Sequence, residues 1–283
     1  MKHIVLMGAG GKMGCRITDN LLNDPEYKVS HVEVSPSGIQ SLKTRGINVV
    51  KQEDVLPSGD VVILAIPDKL IGTITKNIIP KMKNGAMVFG LDPAAAYANV
   101  IPIREDLAYF VAHPTHPPLF NTETNPEAQK DWFGGIAQQD AVCALYRGEE
   151  SQYELGEKLA RKIYKPIVNT YRITVEQMAI LEPGLVETFT STLIEAMKMA
   201  FEKVVSMGVP RDAALSFMMG HVRIQFAVLF GYADFVFSDG ALHAMKQARE
   251  QLLQPDWMEK VFSLESIKDS VEQITDSIKI NLE

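Results

Sequence analysis

Cysteine is scarce in this chain: two residues in 283, Cys15 and Cys143, far apart in sequence. They offer no disulfide framework, and a reducing cytoplasm is the expected compartment. Clustered positive charge is also missing. Lys and Arg number 28 against 35 Asp and Glu, a net charge of −7, with no basic block. That argues against nucleic acid or an anionic membrane surface as the main partner, while a small anionic substrate needs only local positive charge. No apolar run approaches the roughly 20 residues of a membrane span. An apolar segment that begins by residue 3 leaves no room for a signal peptide, which again points to the cytoplasm. With 46% apolar and 22% charged residues, the composition is that of an ordinary soluble enzyme long enough for two domains.

The start of the chain carries the strongest pattern. Ile4-Val5-Leu6-Met7 runs into Gly8-Ala9-Gly10-Gly11-Lys12-Met13-Gly14, after which Met13, Ile17 and Leu21 recur at helical spacing. A second apolar run, residues 29–34, contains Glu33. Strand, glycine turn, helix, strand and acid together predict a dinucleotide site. Glycines let bare backbone approach a pyrophosphate, whose charge is favoured at a helix N-terminus. A carboxylate at the end of the second strand accepts from the adenosine ribose hydroxyls and repels a 2′-phosphate, so NAD is the expected cofactor. Met13 occupies the place of the third glycine in G-x-G-x-x-G; Gly8, Gly11 and Gly14 form the spaced variant G-x-x-G-x-x-G.

Alternation continues downstream. Residues 60–66 are an apolar strand ending in Ala65-Ile66-Pro67-Asp68, followed by a helical stretch over 69–82 and, after Asn84-Gly85, a strand at 86–89. A run over 107–112 ends at His113-Pro114, and strands at 137–145 and 166–170 flank a helix over 153–164. The predicted fold class is α/β, a Rossmann doubly wound parallel sheet followed by an all-helical C-terminal domain. Ligands of such sheets lie outside the carboxyl ends of the strands. The dinucleotide is therefore placed on Gly8, Ala9, Gly10, Gly11, Lys12, Met13, Gly14, Glu33, Ala65, Ile66, Pro67 and Asp68. The composition shifts near residue 173, giving expected domains of 1–172 and 173–283. In the second, Pro183-Gly184 is expected to interrupt the first helix and present Glu187 at a new N-terminus. Further helices are expected over 211–230 and 241–253. The first is read as buried through Val222, Phe226, Leu229 and Phe230, within the chain or across a homodimer interface.

His113-Pro114-Thr115-His116-Pro117-Pro118 closes the last strong strand. Two histidines three apart in a proline-stiffened loop keep few ring orientations, which suits a metal site or removal of a hydroxyl proton during hydride transfer. A rigid connector whose histidines bond backbone groups is the plainer alternative. Glu187, beside the hydroxyl-rich Thr188, Thr190, Ser191 and Thr192, is the third candidate for catalysis or metal ligation with His113 and His116. The ion would be zinc if imidazoles dominate, and magnesium, manganese or calcium if oxygens do. Glu182 and Glu195 are read as solvated helix positions, and His221 as a core histidine.

The glycine turn, Ala65-Ile66-Pro67-Asp68, the histidine-proline and the helical second half resemble the 6-phosphogluconate dehydrogenase-like superfamily. His113-Pro114 is similar to the loop of prephenate dehydrogenases, where that histidine bonds the reacting hydroxyl. The lysine signature of the β-hydroxyacid dehydrogenases, G-x-x-G-x-G-x-x-x-K, is not found near Gly184, which shifts attention to His113, His116 and Glu187. Within the superfamily, H-P-T-H-P-P, F-G-G-I-A, L-E-P-G-L-V-E-T and G-H-V-R-I-Q look most like a small group of enzymes acting on the branched sugar acid D-apionate. That resemblance implies NAD-dependent oxidation of a small anionic sugar acid, with metal-assisted migration of a hydroxymethyl group. A plain hydroxy-acid dehydrogenase and a dinucleotide-sensing protein without turnover are the alternatives.

Overall fold

The computed structural model describes residues 1–275; residues 276–283, the end of the expected helical domain, lie outside the described residues. The order is β1 (Lys2–Met7), α1 (Lys12–Leu21), β2 (Tyr27–Val32), α2 (Pro36–Thr44), α3 (Gln52–Val55), β3 (Val61–Leu64), α4 (Asp68–Ile78), β4 (Met87–Gly90) and α5 (Ala94–Tyr97). Then come β5 (Ala108–Pro114), β6 (Gln139–Arg147), α6 (Glu150–Ile163), β7 (Ile167–Arg172) and α7 (Val175–Ala179). A π-helical segment, Ile180–Thr190, leads into α8 (Ser191–Ser206), α9 (Arg211–Leu229), α10 (Asp239–Leu252), α11 (Trp257–Phe262) and α12 (Leu264–Thr275). The chain divides into two compact units, residues 1–182 with 268–275, and residues 183–267.

In the first unit seven strands form one sheet in the order β2-β1-β3-β4-β5-β6-β7. Side chains alternate between its faces. Ile4, Leu6, Ile63, Phe89 and Phe110 enter one core with Ile17 and Leu21 of α1 and Leu159 and Ile163 of α6. Val5, Met7, Val62, Leu64, Val88 and Val111 enter the other, with Ile71 and Ile78 of α4 and Val175 and Met178 of α7. A strand covered on both faces must be apolar at every position, as β3 is. The first five strands are parallel, as expected, but β6 runs antiparallel to β5, and β7 follows β6 in parallel. The physical reason is the connection. Residues 115–138 contain only a single turn of 3₁₀ helix, so no helical crossover carries the chain back to start a parallel strand.

In the second unit three expectations need correcting. Pro183-Gly184 does not break the helix. The chain winds on with π geometry from Ile180 to Thr190, so Glu187 lies inside that segment and not at a helix start. Pro183 has no N–H to give to the preceding turn. The hydroxyls fit the wider winding: Thr188 donates to Pro183 O, Thr190 to Leu185 O and Ser191 to Val186 O, each five residues back. Nor is α9 buried within the chain, where Ala214 alone is buried. His221 is exposed, not in a core; its ring stacks on Phe217 and its Nδ1 lies 2.8 Å from Phe217 O. Phe189 stacks on Trp257 with centroids 5.0 Å apart. Among the described residues, no helix is long and apolar enough to cross a membrane.

Packing of α6 on the sheet gives a test. A Cβ at Gly156 would stand 2.5 Å from the Phe110 ring, which is 1% exposed and packs against Phe89 and Tyr153. Gly→Ala inside a helix usually stabilises by about 0.5–1 kcal/mol. At Gly156 the sign is expected to reverse, with a loss of about 1–3 kcal/mol from overpacking. Urea unfolding of Gly156→Ala against the parent chain measures it.

Candidate active site

The glycine turn sits between β1 and the start of α1, and its geometry is set by close backbone approach. Gly8, at φ +73°, would place a Cβ 2.2 Å from Ala65 O, and Gly14 would place one 2.2 Å from Gly8 O. Ala65 and Ile66, past the end of β3, therefore lie directly against the turn. Gly11 caps α1 without any side-chain bond. The first-turn N–H groups have no intrahelical partner, and the positive end of the helix faces outward. A pyrophosphate fits this end of α1, where bare backbone and open N–H groups meet.

Glu33 follows β2 and is half-buried. One oxygen accepts from Gly10 N at 2.9 Å; the other accepts from Val34 N, Ser35 N and the Ser35 hydroxyl. Burial pushes this carboxyl up, but the N–H groups of Ser35, Gly10 and Val34 outweigh it and hold it below the usual range. The acid thus braces the glycine turn as well as facing the expected ribose position.

His113 is the penultimate residue of β5, and a tyrosine fixes the strand there. Fully buried Tyr164 donates its hydroxyl to Ala112 O at 2.9 Å. His113 Nδ1 lies 2.9 Å from Leu91 O. A carbonyl only accepts, so Nδ1 carries the hydrogen, and in the neutral ring Nε2 is the nitrogen with the lone pair. His116, at φ +60°, repeats the device with Nδ1 3.0 Å from Phe133 O. The two rings meet edge-on with centroids 6.3 Å apart.

Phe133 belongs to the loop Phe133-Gly134-Gly135-Ile136-Ala137. Asp131 forms that loop by accepting the N–H groups of Gly134, Ile136 and Ala137 at 2.8–3.0 Å. The Phe133 carbonyl also takes Arg16 Nη1 at 3.3 Å, and Lys12 Nζ sits 3.6 Å from the centre of the Phe133 ring. The loop after β5 is in this way tied to the first turns of α1.

Three carboxylates stand near His113. Asp92 Oδ2 is 4.0 Å from Nδ1, and Glu182 Oε2 is 3.6 Å from Nε2. Asp68, at the start of α4, is pushed up to about 6 by burial and by the charge of Asp92, partly offset by its own N–H and by His113. Pro67 is exposed beside it. The structure thus gathers Asp68, Asp92, His113, His116 and Glu182. Glu187 lies in the other compact unit and is exposed there. Among the described residues, no three His, Cys, Asp or Glu side chains are grouped for a metal ion. Cys143, buried in β6, is pushed up to about 12 by burial and the charge of Glu157, an inert thiol.

Glu182, Asp92, Phe133 and Arg16 were not picked out as site residues from the sequence. Asp92 had a signal: it follows β4, and residues just past the carboxyl ends of parallel strands face the crevice. Glu182 had none, because its direction depends on where the π winding begins.

Glu33→Ala tests the cofactor end. A hydrogen bond to a charged group is worth about 1.5–3 kcal/mol, so NAD affinity is expected to fall about 10- to 100-fold. The preference for NAD over NADP should narrow with it, read by calorimetric titration with each dinucleotide on folded protein.

Two family models divide the chain. The acetohydroxy acid isomeroreductase NADPH-binding domain matches residues 1–119, and the C-terminal phosphogluconate dehydrogenase (decarboxylating) model matches residues 121–275. A D-apionate oxidoisomerase of Cupriavidus necator is 48% identical over 276 residues, 97% of this chain and 99% of its own length. One of Rhizobium rhizogenes is 45% identical over 97% of this chain and 100% of its own. A crystal structure from Cupriavidus necator, described as a semialdehyde dehydrogenase NAD-binding protein in complex with calcium and NAD, superposes with a TM-score of 0.95 at 48% identity. It covers 97% of this chain and 100% of the other. The N-terminal half is an NAD(P)-binding domain, and the chain belongs to the family of the D-apionate oxidoisomerases, oxidoreductases of the phosphogluconate dehydrogenase type.

Proposed function

We propose that the protein is an NAD-dependent D-apionate oxidoisomerase of the cytoplasm, oxidising the sugar acid and rearranging it to 3-oxo-isoapionate. The carrying observation is His113: its Nδ1 is held by Leu91 O at the carboxyl end of β5, which leaves Nε2 as an acceptor at the mouth of the sheet. Relatives of that name, 45–48% identical over nearly the whole chain, support the substrate. In this reading residues 1–172 carry the cofactor and residues 173–283 complete the substrate site. NAD bound there would supply the hydride acceptor for the carbinol carbon next to the carboxylate. His113 accepts the proton of that hydroxyl through Nε2, the Leu91 carbonyl stabilising the imidazolium. His116, held by Phe133 O, presents a second acceptor beside it.

A divalent cation belongs to the same proposal, held by His116 with Glu187, because the single free lone pair of His113 is reserved for the proton. It would supply Lewis-acid polarisation of two adjacent oxygens. Donor chemistry supports it, since metal-binding histidines commonly give their other N–H to a backbone carbonyl, as His116 does here. A preformed three-ligand cluster is not present among the described residues. Glu33, which repels a 2′-phosphate, favours NAD over the NADPH for which the matching N-terminal model is named.

The protein is expected to convert D-apionate with formation of NADH. His113→Asn should lower kcat about 10²–10⁴-fold, the usual worth of a general base, with NAD affinity unchanged. Product analysis separates the alternatives: an unrearranged ketone identifies a plain dehydrogenase. If removal of divalent cations leaves the yield of rearranged product unchanged, the cation has no part in the reaction.

We also propose a homodimer built on the helical half. Phe217 and Phe230 are 69% and 68% exposed, Leu229 is 61% exposed, and α8, α10 and α11 bury no residue at all. So much apolar surface on consecutive helices is unusual for a monomer. Sedimentation velocity is expected to give about twice the mass of one chain, and Phe217→Asp with Phe230→Asp should shift it toward the single chain.

A further inference from the structure

The space between His113 and Glu182 is bounded by two hydrogen-bond acceptors. With Nδ1 committed to Leu91 O, the neutral His113 ring has its lone pair on Nε2, and Glu182 Oε2 stands 3.6 Å from it. At that separation no N–H···O bond joins them, since such bonds span about 2.7–3.2 Å. The Glu182 side chain is 22% exposed, and among the described residues its carboxylate has no hydrogen-bond donor. Asp92 adds a further negative group on the other side of the ring, one of its oxygens already bonded to Ala94 N at 2.8 Å. A half-buried carboxylate without a donor is costly. Among the described residues the groups placed here, Nε2 of neutral His113 and the carboxylates of Glu182 and Asp92, are acceptors, which disfavours a substrate carboxylate and favours O–H groups.

We propose that Glu182 is a specificity-determining residue that binds the hydroxyl next to the one being oxidised. The proposal rests on the oxidoisomerase reading above. Two acceptors side by side match a vicinal pair of hydroxyls: one gives its hydrogen to His113 Nε2, the neighbour gives its hydrogen to Glu182. That arrangement fixes which hydroxyl meets the base, and it turns the substrate carboxylate away from Asp68, Asp92 and Glu182. It also selects polyhydroxy acids over simple 2-hydroxy acids, because only the former supply the second donor. A site built to bond a hydroxyl rejects an analogue lacking it far more strongly than an apolar pocket rejects an extra methylene.

The test compares Glu182→Ala and Glu182→Asp with the parent chain in the presence of saturating NADH. Binding of D-apionate and of its analogue lacking the tertiary hydroxyl is measured by calorimetry. The parent chain is expected to prefer D-apionate. In Glu182→Ala its Kd should rise about 10- to 100-fold, the worth of a hydrogen bond to a charged acceptor, while the Kd of the analogue stays within about twofold. Glu182→Asp should recover part of the loss for D-apionate alone. Equal losses for both acids would mean a structural role and overturn the proposal. So would equal losses accompanied by weakened binding of Mn²⁺ or Ca²⁺ titrated alone, which would make Glu182 a cation ligand. A parent chain that binds NADH but neither acid overturns the oxidoisomerase reading, and this proposal with it. A parent chain that binds D-apionate, with variants that bind it equally well, overturns this proposal only.

Discussion

Everything at the cofactor end depends on one steric condition: the backbone of the first helix lies against the turn that precedes it with no room for a side chain. Gly14 packs on Gly8 O, Gly8 on Ala65 O and Gly10 on the backbone of Gly38. Three contacts of this kind bring the ends of β1 and β3 and the start of α2 to one place. The open N–H groups of α1 point into the same space. Glu33 closes the arrangement by bonding Gly10 N, so an acid that reads as a ribose partner also holds the turn it serves. The carboxylate expected at the ribose is therefore also a brace of the turn.

The sheet was legible because its signals are local. Alternate burial on β1 and β4, the apolar β3, and strands ending in Pro67-Asp68 and His113-Pro114 follow from a doubly wound sheet covered on both sides. The reversal at β6 was less legible, since it is decided by the lack of a helix between residues 115 and 138 and by the pairing of β5 with β6. In the helical half, reading failed for a different reason. Helical rules read a proline as a break, but here a π-wound segment runs through it, and hydroxyls bond carbonyls five residues back along the widened turns. The apolar face of α9 was rightly seen as apolar, yet periodicity cannot say whether the same chain or another covers it.

The same limit governed the carboxylates. Glu182 and Glu187 are five residues apart in one glutamate-proline-glycine text. With ordinary helical periodicity neither could be assigned a direction through the proline. The structure sets Glu182 beside His113 because α7 packs in the core of the first unit, through Val175 and Met178, and carries the chain past the sheet before the winding changes. From the sequence the two carboxylates could be compared only without that phase.

The carbonyl of Phe133 is shared. His116 Nδ1 and Arg16 Nη1 both lean on this one oxygen, and Lys12 rests on the ring of the same residue. A peptide oxygen has two lone pairs, so both donors can be served at once, but neither can relocate without changing the charge felt by the other. The tilt of an imidazole after β5 and the pose of the first turn of α1 are thus one mechanical variable, clamped at a single peptide plane. Movement of the α1 start and rotation of the His116 ring therefore meet at the same peptide group.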